Sequence, residues 1–420
     1  MRKKHFLFAS VLALLCGSST LHAQDFKLTS SGYFKNQGVD VMAFDDIYPE
    51  GHQGGVCIIM NGHRVATNGD IRLEATPGQW QPVPKQLDRK LGDNSITATL
   101  CYPDSSRHLT GFNPMIYPDL HLIYTVNVES KGKNIEVTVD LDRPIPQEFI
   151  GKVGFNLEFF PGSLFGKPWI MDGQSGIFPQ QPNSPLMTTQ PNYLHTGNYH
   201  DGKKSLADMD KLIGKGYSPI VADDIISEPY AKGTKFTSRP DDPYNKVTIE
   251  SLSGDLQLFD GRMNHNNGWF VLRSNIKPGV TKGAVKWIIT PNVVADWMYQ
   301  PVIQTSQIGY HPTQDKEAVI EMDIRDNRKE TAQIIRIDAD GEKVVKNVTP
   351  ANWGKFLRYN YLKVNFTDVK EPGLYKIKYN TSVSPIFRID NDVYARGVWQ
   401  PVLEYFLPVQ MCHMRVNEKY

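Results

Sequence analysis

His121-Leu122-Ile123-Tyr124-Thr125-Val126-Asn127-Val128 and Ile135-Glu136-Val137-Thr138-Val139-Asp140-Leu141 flank Ser130-Lys131-Gly132-Lys133-Asn134. Both arms alternate apolar and polar residues, the period of a strand with one buried face, and the middle has turn composition. The same grammar runs from Asp25 to about Pro301 as short β-rich runs broken by Gly, Pro, Asn and Asp. Val56 to Met60 ends on Asn61-Gly62, a tight hairpin signal. Trp269 to Arg273 and Ala284 to Thr290 read as a further pair of strands. Helical periodicity is almost absent, Leu206 to Ile213 excepted. The expectation is a mainly β protein whose residues 24–301 form a large β-sandwich-type domain. Phe160 to Tyr199, rich in Gly, Pro and Asn, is expected to form long surface loops.

A second unit is expected over 302–390, roughly 90 residues, the size of an immunoglobulin-like sandwich. Its strands fall near Ala318 to Asp323, Gln333 to Ile337, Tyr361 to Phe366 and Tyr375 to Tyr379, with turns at Asp340-Gly341 and Pro372-Gly373. After Asn391 the texture changes. Trp399, Val402, Phe406 and Val409 recur at helical spacing, so 391–420 reads as one amphipathic helix, the first of a domain that would cover it.

At the other end, Met1-Arg2-Lys3-Lys4-His5, an apolar run from Phe6 to Cys16 and Leu21-His22-Ala23 have the three parts of a secretory signal peptide. Residues 1–23 are expected to be removed after Ala23, giving a periplasmic or secreted protein; a lipid anchor on Cys16 is disfavoured by Leu14 and Leu15. Losing Arg2, Lys3 and Lys4 turns a formal charge of +1 into −2, since 1 − 3 = −2. Near-neutral charge gives no electrostatic footprint for nucleic acid or anionic membrane, and no later segment approaches a membrane span. A monomer is expected. Cys57, Cys101 and Cys412 remain, an odd number that builds no stapled scaffold. Cys57 and Cys101 lie in strand-like runs and read either as two core residues or as a disulfide.

Three segments resemble family 9 glycoside hydrolases, the inverting endoglucanases with an immunoglobulin-like module before an (α/α)6 catalytic barrel. Ser306-Gln307-Ile308-Gly309-Tyr310-His311-Pro312 with Lys316-Glu317-Ala318-Val319 is similar to the module's opening pattern. Glu371-Pro372-Gly373-Leu374-Tyr375 resembles a later strand. Phe387-Arg388-Ile389-Asp390 with Val393-Tyr394 resembles the junction into the first barrel helix. Gly154-Phe155-Asn156-Leu157-Glu158-Phe159-Phe160-Pro161 and Met171-Asp172-Gly173-Gln174-Ser175-Gly176 further resemble the N-terminal β-domain of Bacteroidetes members.

The resemblance implies a β-glucan partner reached through the catalytic barrel. It also implies an acid and a base, the base from an Asp-Ala-Gly-Asp motif that this sequence does not contain. No catalytic residue is therefore assigned here. Asp338-Ala339-Asp340-Gly341-Glu342 sits between apolar runs and reads as a hairpin turn. The resemblance places Cys412, beside His413, where some members carry one ligand of a structural zinc. One thiolate does not close a four-coordinate site, so Cys412 is an orphan ligand or a helix-packing cysteine. No cofactor is expected in this chain; zinc or calcium would belong to the catalytic domain.

Trp169, in Phe165-Gly166-Lys167-Pro168-Trp169, is the candidate sugar-stacking residue, against a packing role. Asp45-Asp46, Asp223-Asp224 and Asp241-Asp242 read as turn caps, and His195 with His200 matches no zinc motif. These residues together read as the non-catalytic N-terminal part of an exported family 9 endo-β-1,4-glucanase. The rival reading is a complete carbohydrate-binding or surface-adhesion β-protein with no enzymatic role.

Overall fold

The computed structural model describes residues 25–45, 54–74, 77, 84–102, 120–182, 186–188, 225–263, 268–395 and 397–406. The expected leader 1–23 with Cys16, Asp46, His195 and His200, the Leu206 to Ile213 stretch, Asp223-Asp224, and Cys412 with His413 lie outside the described residues. The chain divides into two compact units, Met1–Trp297 and Met298–Tyr420.

The first unit holds two nine-stranded antiparallel sheets. One runs β1 (Lys27–Leu28), β2 (Phe34–Asn36), β3 (Val39–Ala43), β4 (Val56–Met60), β5 (His63–Leu73), β10 (Val153–Phe159), β19 (Phe270–Asn275), β18 (Leu256–Asp260) and β15 (Ala231–Gly233). The other runs β12 (Gln174–Ile177), β11 (Pro168–Met171), β16 (Lys235–Ser238), β17 (Val247–Ser251), β20 (Val285–Pro291), β9 (Asn134–Leu141), β8 (Ile123–Lys131), β7 (Ser95–Cys101) and β6 (Lys85–Leu91). A small pair, β13 (Leu186–Thr188) and β14 (Ile225–Ser227), stands apart.

The hairpin read from alternation is β8–β9, in register from Tyr124–Leu141 to Lys131–Asn134. Tyr124, Val126 and Val128 of β8 and Ile135, Val137 and Val139 of β9 are buried, facing a shared core that includes Ile71, Leu73, Phe155, Leu157 and Leu272 of the first sheet. Phe155 meets Trp287 edge to face, centroids 5.0 Å apart at 81°. Asn61-Gly62 makes the two-residue β4–β5 turn, with φ of +53° and +84°, the conformation that favours these two residues.

Two expectations need correction. Phe160 to Tyr199 is not wholly loop, because Pro168–Met171 and Gln174–Ile177 form a hairpin at the end of the second sheet. Phe270–Asn275 and Val285–Pro291 are strands but do not pair. Their long connection carries the chain from one sheet to the other, where β19 joins β10 and β18 while β20 joins β9 and β17.

The second unit is an immunoglobulin-like sandwich. One sheet runs β21 (Val302–Gln304), β22 (Glu317–Asp323), β26 (Tyr359–Asn365) and β25 (Ala351–Phe356). The other runs β24 (Gly341–Val348), β23 (Ala332–Asp338), β27 (Gly373–Tyr379) and β28 (Ser382–Val383), with β29 (Phe387–Ile389) also on β27. Ala318, Ile320, Met322, Leu362 and Val364 from one sheet meet Ile334, Tyr375, Ile377 and Tyr379 from the other in a separate core. Residues 400–406 are helical, and Val402, Leu403 and Phe406 on that segment are more than half exposed.

Candidate functional site

The segments that resembled the family earn their residues by packing. Tyr310 is buried against Phe366 and Phe387, and its hydroxyl accepts from Ser306 N and donates to Glu317 O, both 3.0 Å. Lys316 is buried, and its Nζ donates to the carbonyls of Pro312 (2.8 Å), Gln314 (3.0 Å) and His311 (3.4 Å). These carbonyls satisfy an ammonium that burial would otherwise penalise. The Tyr375 hydroxyl donates to Glu371 O at 2.7 Å, and its ring stacks on Phe387.

A row of aromatic side chains lies on the solvent side of the β21–β22–β26–β25 sheet. In β26 Tyr359, Tyr361 and Lys363 alternate with the buried Asn360, Leu362 and Val364. Register sets Val319 of β22 beside Lys363 and Glu321 beside Tyr361. Edge strand β25 adds Trp353 and Phe356, 58% and 57% exposed, so both rings are open to a ligand. Tyr299, Tyr359, Tyr361 and Trp353 follow one another with centroid steps of 5.1, 6.2 and 5.6 Å. Trp353 stands at 89° to Tyr361, making a corner. Val319, Trp353, Phe356, Tyr361 and Lys363 line an apolar groove of about 210 Å³ there. Glu321 accepts hydrogen bonds from the hydroxyls of Tyr299 (3.0 Å) and Tyr361 (3.1 Å); burial first, and these bonds second, hold both phenols above their ordinary range. Sequence reading missed this row. The one signal was Trp353 and Phe356 three apart in a stretch otherwise polar.

A second constellation lies in the first unit. β10 is buried on both faces: Phe155, Leu157 and Phe159 join the core, and Asn156 and Glu158 face the other way. Around Asn156 gather Asp70, Arg72, Glu74 and Arg273, none more than 6% exposed. Arg273 Nη1 donates to Asn156 Oδ1 (3.1 Å) and Glu74 Oε1 (3.3 Å), its Nη2 to Glu74 O (2.9 Å) and its Nε to Asn275 Oδ1 (2.7 Å). Asn156 Nδ2 also donates to Glu74 Oε1, at 2.6 Å. Asp70 Oδ1 accepts from Ile71 N and the Tyr124 hydroxyl. Burial pushes Glu74 up to about 7 against the pull of Arg273 and Arg72, and Asp70 up to about 6 against Arg72. Among the described residues, Asp70 Oδ2 and Arg72 Nε have no hydrogen-bond partner.

Trp169 takes the packing role. It sits in β11, 6% exposed, with Tyr230 6.4 Å away and Gly176 so close that a Cβ there would lie 2.4 Å from the indole. A ring covered in this way has no free face for a sugar. Asp338 pairs with Gly341, leaving Ala339-Asp340 as the turn of a β23–β24 hairpin. Asp242 caps a turn, accepting from Tyr244 N and Arg239. Cys57 lies in the first sheet and Cys101 in the second, and no disulfide joins them.

With this geometry in place, residues 298–384 match the cellulase N-terminal ig-like domain. The second unit thus relates the chain to family 9 glycoside hydrolases. Among solved structures, the chain is similar to a GH9 protein of Bacteroides ovatus, 26% identical over 22% of this chain and 16% of that one, TM-score 0.19. It is also similar to the Slr1438 protein of Synechocystis sp. PCC 6803, 10% identical over 69% of this chain and all of that one, TM-score 0.30. The matched part spans about a sixth of the Bacteroides protein's length. No curated protein matches. No helix among the described residues is long and apolar enough to cross a membrane.

Proposed function

We infer that this chain is the non-catalytic N-terminal part of an exported family 9 glycoside hydrolase acting on β-1,4-glucans. The match over 298–384 carries the reading. The packing of Gly309, Tyr310, Lys316 and Phe387 supports it, because the residues of the resemblance are those that hold the module together. Inverting hydrolysis needs an acid and a base about 6.5–9.5 Å apart across the scissile bond. The family's Asp-Ala-Gly-Asp base motif does not occur in this sequence. The nearest string, around Asp340, is spent on a turn.

The chain assayed alone on soluble β-glucan is expected to release reducing ends at the blank rate. A product carrying the barrel downstream of Tyr420 is expected to be active. Turnover by the chain alone that Asp340→Ala abolished would overturn the reading. Export is tested separately. N-terminal sequencing of exported material should begin at Gln24, and Met1, or lipid on Cys16, would refute it.

A further inference from the structure

We propose that the aromatic row on the immunoglobulin-like unit is a binding groove for a single extended chain of a neutral β-linked glucan. This rests on the glucan-enzyme reading above.

A pyranose ring presents C–H groups on its faces and hydroxyls around its rim. It therefore needs an apolar surface with polar groups at the margin. Tyr361 and Trp353, at 89° to each other, supply an apolar corner, and Val319 and Phe356 extend it. Consecutive rings of Tyr299, Tyr359, Tyr361 and Trp353 lie 5.1, 6.2 and 5.6 Å apart, so the aromatic surface continues beyond the Tyr361–Trp353 corner. Trp353 and Phe356 are on an exposed edge strand, so no rearrangement is needed to reach them.

The charges decide the ligand class. Among the described residues of the lining, Lys363 is the one charged side chain, and it is paired with Glu317 at 2.5 Å. Glu321 already accepts hydrogen bonds from two phenols. An anionic polysaccharide would find no uncommitted cation in the lining, and a cationic one no uncommitted carboxylate. An uncharged polyol displaces no ion pair. Gln304, exposed on β21 and in register with Val319, offers an amide at the rim.

The test is titration of the full chain with cellohexaose, followed by calorimetry and tryptophan fluorescence, with polygalacturonate as the anionic comparison. Saturable binding of cellohexaose is expected, with no binding of polygalacturonate. Trp353→Ala should weaken it at least tenfold and Phe356→Ala severalfold, both with unchanged melting temperatures because the rings are exposed. The inference is overturned if cellohexaose does not bind at millimolar concentration, or binds equally to Trp353→Ala. It is also overturned if polygalacturonate binds in its place. Sedimentation in which Trp353→Ala turned a dimer into a monomer would assign the groove to a second copy instead. Failure of the parent reading looks different: cellohexaose would bind, yet a product carrying the barrel would leave β-glucan intact.

Discussion

Gly309→Ala is expected to unfold the immunoglobulin-like unit well below its normal melting temperature while leaving the first unit's transition in place. Gly309 has φ +106°, a conformation that costs a residue with a Cβ. The space is also taken. A Cβ there would lie 2.3 Å from the Arg388 carbonyl oxygen and 2.9 Å from Val393 Cγ2. The Arg388 carbonyl cannot retreat cheaply, because Tyr310 N donates to it and Asp390 N donates to Tyr310 O, and Val393 is buried. Strain and overpacking together should cost on the order of 3 kcal/mol, enough to lower a domain of this size by roughly 10 °C or more. Calorimetry resolving the two transitions reads this directly. A second-unit transition displaced by less than about a degree would show that the junction yields, and that Gly309 is not what fixes it.

Gly309 also shows why this part of the chain was legible. Ser306 to Pro312 and Lys316 to Val319 stand out because each distinctive residue meets a local need, whether a strained turn, a ring in the core or an ammonium held by nearby carbonyls. The β8–β9 hairpin was legible for another reason. Its alternation is the direct imprint of one buried and one exposed face.

Edge strand β25 escaped because Ala351 to Phe356 is exposed on both sides, so no alternation is imposed on it. The hairpin holding Trp169 escaped because its Gly and Pro suggest loop, whereas Gly176 is there to seat the indole. The charged constellation was beyond sequence reading altogether. Glu74 and Arg273 lie 199 positions apart, and Asn156 reads as the outward residue of a half-buried strand. Burial of its second face depends on the whole fold.

That constellation carries the other large expected effect. Arg273→Met keeps the volume and removes the guanidinium hydrogen-bonded to Glu74 and Asn156 Oδ1, leaving Arg72 as the nearby cation that does not hydrogen-bond Glu74. Removing one partner of a buried pair typically costs about 3–5 kcal/mol, because the other charge stays buried and uncompensated. The loss should depend on pH in a definite direction. Glu74 is raised to about 7 and Asp70 to about 6 in the fold, so between the unfolded carboxyl range and pH 7 the folded state binds protons that the unfolded chain has released. The stability these groups contribute is therefore fully present at low pH and is lost as pH rises through their folded values. At pH 5 a protonated Glu74 needs no counter-charge, and Arg273→Met should be mild; at pH 8 it should be severe. Adding Glu74→Gln to Arg273→Met should restore much of the loss at pH 8 and little at pH 5. Thermal melts of the first unit at both pH values decide it. An equal deficit at pH 5 and pH 8 would mean that Arg273 acts by packing, not as the counter-ion of Glu74.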